Sequence, residues 1–190
     1  MERLIEHINS IAPISEDCFP FIADKVVERH YAKKDHLVHP DDFAREVYFI
    51  LEGCVRTYIP DYNGLEHNIS FAMEDWWCGD LQSFIRNTTA AVGVQAIEDT
   101  AVLAINQKNW QLLHSEIPEF LSYTRILFRN TMFSHEKRIL RAISLTAADR
   151  YEKFLTEYPA LAQRIAQKHI AGYLGITPEF LSMLRSKRKR

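Results

Sequence analysis

"HIAGYLGITPEFLSMLRSKRKR", residues 169–190, is the stretch on which the reading of the whole chain turns. Ile170, Ala171 and Leu174 recur at helical spacing and can pack inward. Gly175 permits a tight turn, because glycine takes positive φ at no steric cost. Ile176 plugs the corner. Thr177 is an N-cap residue, and Pro178 suits a first helical turn. Leu181 and Leu184 then face inward again. The pattern predicts a helix-turn-helix, whose second helix enters a DNA major groove with its N-terminal residues against base edges. Pro178, Glu179, Ser182, Met183 and Arg185 are left on the outside or the edges. A plain helical hairpin has similar spacing, and the basic flank tips the reading toward DNA.

Charge is distributed to match. The chain has 190 residues and a formal net charge of -2. Residues 161–190 hold seven Lys or Arg against one acid, a balance of +6, which leaves the rest of the chain at -8. An acidic body with a basic end fits a molecule of which only the end meets a polyanion. Hydrophobic residues make up 47%, enough for a core. "MERLIEHINS" carries charge where a signal peptide has its apolar run, and no stretch is long and apolar enough to span a bilayer. Cys18, Cys54 and Cys78 are odd in number and far apart, as expected of free thiols in a reducing cytoplasm. The expected location is cytoplasmic, with no cofactor and no metal.

Upstream, residues 2–30 read as helical, with "EDCFPFIADKVVERHY" as a second short helix. Between about Ala32 and Ile105 the pattern turns to short strands. "EVYFILEGCVRTYIP" and "EHNISFAM" flank "DYNGLE", where Asn63-Gly64 is a hairpin signal because both residues tolerate positive φ. "AVGVQAIED" and "TAVLAI" add two strands, and the close spacing predicts a jelly-roll β-barrel. "QKNWQLLHSE" is a short helix, and Pro118 opens a long one to about Ser144. That helix is apolar on more than one side: Leu121, Phe128, Met132 and Ile139 on one, Ile126, Phe133 and Leu140 on another. It is either the core helix of a monomer or a helix shared between the barrel and a second copy. Thr146 reads as the N-cap of "AADRYEKFLTEY", with Asp149 completing an approximate capping box.

Taken together, these segments resemble the Crp/Fnr-type transcription regulators, in a branch common in Bacteroidetes-like bacteria. The resemblance rests on "YFILEGCVRTYI", on Gly79-Asp80-Leu81, on the long helix after Pro118, on "ADRYEKFL" and on "IAQKHIAGYLGITPEFLSMLR". It implies an α+β chain in three parts. Residues 1–117 would form a cyclic-nucleotide-binding-like effector barrel, residues 118–145 a dimerisation helix, and residues 146–190 a winged helix-turn-helix. Its implied partners are double-stranded DNA, a second copy of the chain, RNA polymerase and an unknown small-molecule effector. In the dimer helix it points to Leu121, Leu127, Phe128, Thr131 and His135. At the DNA it places the base-reading positions on Pro178, Glu179 and Met183, where two family arginines are replaced. Specificity then leans on Glu179, Ser182 and Met183, while Lys168, Thr177, Arg185 and Lys187 hold phosphates.

The same comparison bears on the effector pocket. Cyclic-AMP-binding members use a Gly-Glu-Leu turn and a downstream Arg-Ser/Thr pair. Here Gly79-Asp80-Leu81 keeps the turn with a shorter acid, and the pair falls on Ala90 and Ala91. A phosphate without its arginine loses charge-assisted hydrogen bonds, so cyclic AMP binding is expected to be lost. Arg86, Thr88 and Thr89 remain as alternative polar contacts.

Two other function classes stay in view. A metal-dependent cupin-like enzyme needs convergent ligands, yet His36 and His39 are spaced wrongly for one strand face, and His67 stands alone. Nothing forms a nucleophile–base constellation, and the expectation is no enzyme. A regulatory barrel acting only through protein partners is disfavoured by the basic tail.

Overall fold

The computed structural model describes residues 1–188. Lys189 and Arg190, the last of the basic run, lie outside the described residues. Helices α1 (Glu2–Ile11) and α2 (Phe19–Lys25) open the chain. Strands β1 (Val27–Tyr31), β2 (His36–Val38), β3 (Glu46–Glu52), β4 (Cys54–Pro60), β5 (Glu66–Met73) and β6 (Trp77–Cys78) lead to the short helix α3 (Leu81–Arg86). Strands β7 (Gly93–Ala96) and β8 (Thr100–Asn106) follow, then helices α4 (Gln107–Glu116) and α5 (Pro118–Ser144). The remainder is helical: α6 (Ala147–Glu157), α7 (Pro159–Arg164), α8 (Gln167–Leu174) and α9 (Pro178–Arg188).

Among the described residues the strands make two antiparallel four-stranded sheets, ordered β1-β8-β3-β6 and β2-β7-β4-β5. No ladder joins them, so the expected closed barrel is corrected to two facing sheets. Val47, Phe49, Val102 and Ile105 of the first sheet meet Val38, Val55, Ala72 and Val94 of the second in one core. The Tyr48 hydroxyl crosses between the sheets to donate to the Leu37 carbonyl at 2.8 Å. The chain changes sheet at Gly53, where φ is +101°. A Cβ there would lie 2.5 Å from Thr100 Oγ1 and 2.6 Å from the Asp99 carbonyl.

Three further expectations are corrected. The second helix stops at Lys25, and Val27–Tyr31 is a strand, because its backbone pairs along β8 at the sheet edge. The β4–β5 hairpin forms at the predicted place, but only Gly64 has positive φ, +79°. The turn is held instead by the Asp61 carboxylate, which accepts from the Asn63 and Leu65 amides, with Gly64 supplying the left-handed residue of a bulged turn. No strand follows β8 among the described residues, so the helical end carries no wing there.

Helix α1 buries Leu4 and Ile8, and α5 buries Phe120, Tyr123 and Thr124, all near the first sheet. Trp77 Nε1 donates to the Tyr123 hydroxyl at 2.7 Å. An indole has no acceptor, so the Tyr123 proton goes on to His7 Nδ1, 2.7 Å away. Burial lowers the His7 pKa, which keeps the ring neutral and able to accept.

Gly53→Ala should destabilise the fold by about 1–3 kcal/mol, since strain at positive φ is joined by the close contact. Chemical denaturation of the two proteins measures the difference.

Candidate functional site

Four regions stand out, and three of them carry the residues singled out from the sequence. The first is the helical end. Helix α8 ends on Gly175 in the left-handed conformation, φ +68°, as its sequence predicts. Thr177 Oγ1 accepts from the Phe180 amide at 3.2 Å, so the cap also forms. Ile170, Ala171, Leu174 and Leu181 are buried in a core shared with Tyr151, Phe154, Leu161 and Ile165. That packing turns the other face of α9 outward: Pro178, Glu179, Ser182, Met183 and Lys187 are all exposed. Lys168 and Thr177 are exposed as well. Arg185 differs. It is half-buried and lines the cleft between α6, α7 and α9 with Tyr151, Leu155 and Leu181.

The second region is the segment 79–91. Gly79 adopts φ +140°, and a Cβ there would lie 3.2 Å from Val47 Cγ1. Asp80 is 7% exposed and caps α3. Its carboxylate accepts from the Ser83 amide at 3.1 Å, the Ser83 hydroxyl at 2.9 Å and the Ala91 amide at 2.7 Å. The acid that the resemblance assigns to a ligand is therefore engaged in holding its own loop closed. Ala90 is buried, its amide donating to the Asp42 carbonyl at 2.7 Å. Ala91, Arg86, Thr88 and Thr89 are exposed. Leu81 is half-buried beside α5.

The third region is α5 itself. Leu127 and Phe128 are half-buried on the core, whereas Leu121, Thr131 and His135 are exposed. Beyond Phe128 the helix leaves the core between the sheets, and one side of it is open. Met132, Phe133, Ile139 and Leu140 are all more than half exposed, and Ile143 is 80% exposed. Leu81, Phe128, Thr131, Met132, His135 and Ile139 line an open apolar groove there.

The fourth region, a seam between the sheets and the helical end, was not visible in the sequence. Arg138 of α5 donates to the carbonyls of Asn68 at 3.0 Å and Tyr173 at 2.9 Å, and to that of Ile69. Its guanidinium also lies 4.2 Å from the Tyr173 ring centroid. Asn68 Nδ2 donates to the His169 carbonyl at 2.8 Å. Arg164 of α7 bridges to Glu74 at 2.6 and 2.9 Å and pairs with Glu98. Cys54 and Phe71 of the sheet join the core of the helical end. On the same outward face Arg56, 5% exposed, donates to Gln95, Glu66 and Asn68. Burial, with the charges of Arg56 and Lys168, pushes His169 down to about 4.

The candidate metal-binding histidines do not converge on one point. His67 pairs with Asp61 at the hairpin, 3.0 Å away. His36 and His39 do meet, their rings stacked at 4.0 Å, contrary to the strand-face argument. Strand β2 ends at Val38, so His39 escapes the alternation. No group of three or more metal-type side chains occurs among the described residues. No helix there is long and apolar enough to cross a membrane.

With that geometry in place, comparison with known proteins adds the following. The family model of the cyclic nucleotide-binding domain matches residues 28–116, the region of the two sheets. No curated protein matches the chain. Among solved structures it resembles a mutant of CooA from Carboxydothermus hydrogenoformans, with a TM-score of 0.76 at 22% identity, over 98% of this chain and 84% of that one. It resembles the c-di-GMP-responsive global regulator CLP of Xanthomonas campestris at TM-score 0.74 and 17% identity, over 89% of this chain and 88% of that one. A protein described as a transcriptional regulator of the Crp/Fnr family, from Eubacterium rectale, matches at TM-score 0.72 and 18% identity, over 93% and 84%. The chain thus has a cyclic-nucleotide-binding-type sheet domain followed by helices, in the fold of these regulators.

Two outcomes follow. Asp80→Ala leaves buried donors unmatched and removes a cap, and should cost about 2 kcal/mol in a denaturant titration. Arg164 holds Glu74 down at about 2, below its ordinary 4.5. A depressed carboxylate contributes stability that is complete above its unfolded value and is lost as pH falls toward the folded one. Stability should therefore fall between about pH 4.5 and 2, and Arg164→Gln should flatten that part of the curve, read by thermal melts across the range.

Proposed function

We propose that this chain is a homodimeric, sequence-specific DNA-binding transcription regulator of the Crp/Fnr type, working in the cytoplasm. The observation that carries the reading is the outward face of α9. Glu179, Ser182 and Met183 stand exposed on it, at i, i+3 and i+4, on a helix pinned by Leu181 behind a capped tight turn. Glu179 accepts from a cytosine amine and Met183 meets a thymine methyl. Pro178 has no donor to offer. Lys168, Thr177 and Lys187 hold phosphates, with Arg185 reaching them from the cleft rim.

The dimer is formed by α5. Its second half exposes Met132, Ile139, Leu140 and Ile143, which the described residues leave more than half uncovered. Two such helices side by side bury the same stripe twice and set the two α9 helices about 34 Å apart, one DNA turn. The sheet domain is an effector domain that has lost cyclic AMP. The Asp80 carboxylate is engaged by Ser83 and Ala91, and Ala90 and Ala91 supply no cation. An effector of another kind shifts the balance between two arrangements of the DNA-binding ends. RNA polymerase is the partner through which transcription responds.

Selection of bound sequences from a random pool tests the reading. Glu179→Ala should cost about 1–3 kcal/mol on the selected site and relax one base position. Lys187→Ala should weaken all sequences alike and reduce the salt slope by about 1. An unchanged motif for Glu179→Ala removes α9 from the groove. Ile143→Glu should give monomers in sedimentation without loss of folding, since Ile143 is already 80% exposed in the single chain. Calorimetry with cyclic AMP should show no binding.

A further inference from the structure

A cavity of about 310 Å³ opens between α5, α6, α8 and β5, away from the segment 79–91. Its wall carries Lys137, Arg138, Arg141 and Arg150 against one carboxylate, Glu157. Lys137 at 2.8 Å and Arg141 at 2.5 Å share that carboxylate, which they hold down at about 2, so it is ionised at any working pH. One negative charge cannot balance both. The other two cations have no carboxylate among their hydrogen-bond partners in the described residues. Arg138 donates to the carbonyls of Asn68, Ile69 and Tyr173. Arg150 donates to those of Leu145 at 2.9 Å and Leu174 at 3.1 Å. A carbonyl dipole satisfies a donor and leaves the formal charge in place. Arg150 Nε goes further, being a buried nitrogen with no hydrogen-bond partner among the described residues. A buried donor of this kind is costly unless something else meets it.

We propose that this cavity is a binding site for a small phosphate-type oxyanion, either inorganic phosphate or the phosphoryl group of a small metabolite. Arg150 and Arg138 supply the charge that the protein leaves unbalanced. Ser134 and Tyr173, also on the wall, add hydroxyl groups and an aromatic surface. The size suits a compact ligand, at the lower end of ordinary small-molecule cavities. Because the wall draws on β5 on one side and α6 and α8 on the other, a bound anion ties the sheet domain to the helical end. It stabilises the docked arrangement by mass action.

The proposal stands independently of DNA binding and is tested without DNA. The full chain is titrated in a calorimeter with inorganic phosphate and, separately, with ribose 5-phosphate, at constant ionic strength. At least one should bind at a single site and raise the thermal midpoint, and the stronger ligand distinguishes the bare ion from the phosphoryl group. Arg150→Gln should weaken it about tenfold or more, the loss of a charge-assisted contact. Lys153→Gln, an exposed change on α6 outside the cavity, should leave it unaltered. If Arg150→Gln does not fold, Lys137→Gln, on an exposed side chain, should still weaken binding severalfold. No binding of either compound overturns the proposal. So does an equal loss in Lys153→Gln, which would mean diffuse attraction to a basic surface.

Discussion

The Arg138 guanidinium sits where three parts of the chain meet. It extends from the last third of α5, donates to two sheet carbonyls at β5, and reaches the Tyr173 carbonyl at the end of α8. Burial lowers its pKa, the sign of a charge held at some expense. The long helix, the sheet domain and the helical end therefore meet on one cation bonded to main chain. Arg150 repeats the device one helix later, between Leu145 and Leu174. Main-chain carbonyls are fixed by the fold itself, so these contacts set position with little dependence on any partner side chain.

Around those two arginines the seam has a mixed character. Phe71, Trp76, Phe154, Tyr158 and Tyr173 give it an apolar part, with ring pairs such as Phe71–Tyr173 at 5.6 Å. Arg164 with Glu74 and Glu98 closes one edge by charge. Asn68 with His169 closes another by hydrogen bonding. Such an interface holds its two sides in one arrangement while leaving many of its terms open to change by pH, salt or a bound ion.

Much of the helical architecture was legible because its signals are local. Thr146 with Asp149, Pro118, Gly175 with Thr177, and Gln107–Glu116 each obey rules that span a few residues, and each forms as read. The split into two sheets depended on register between distant strands, which alternation alone does not give. Val27–Tyr31 becomes a strand only because β8 offers an edge, and His36 meets His39 only because β2 ends between them. The candidate DNA face was legible for the same local reason as its helix. The seam was not, since Arg138, Arg150 and Arg164 look in sequence like ordinary charges on exposed helix faces. Their partners lie 70, 24 and 90 residues away.

Those separations also carry an entropic cost. The cap at Thr146 and the turn at Gly175 close over a few residues. Joining Asn68 to His169 closes a loop of 101 residues, and the Arg164–Glu74 pair one of 90. Long loops cost more entropy and wait for both ends to be built. The seam contacts therefore depend on both distant ends being in place, whereas the cap and the turn need only their own few residues.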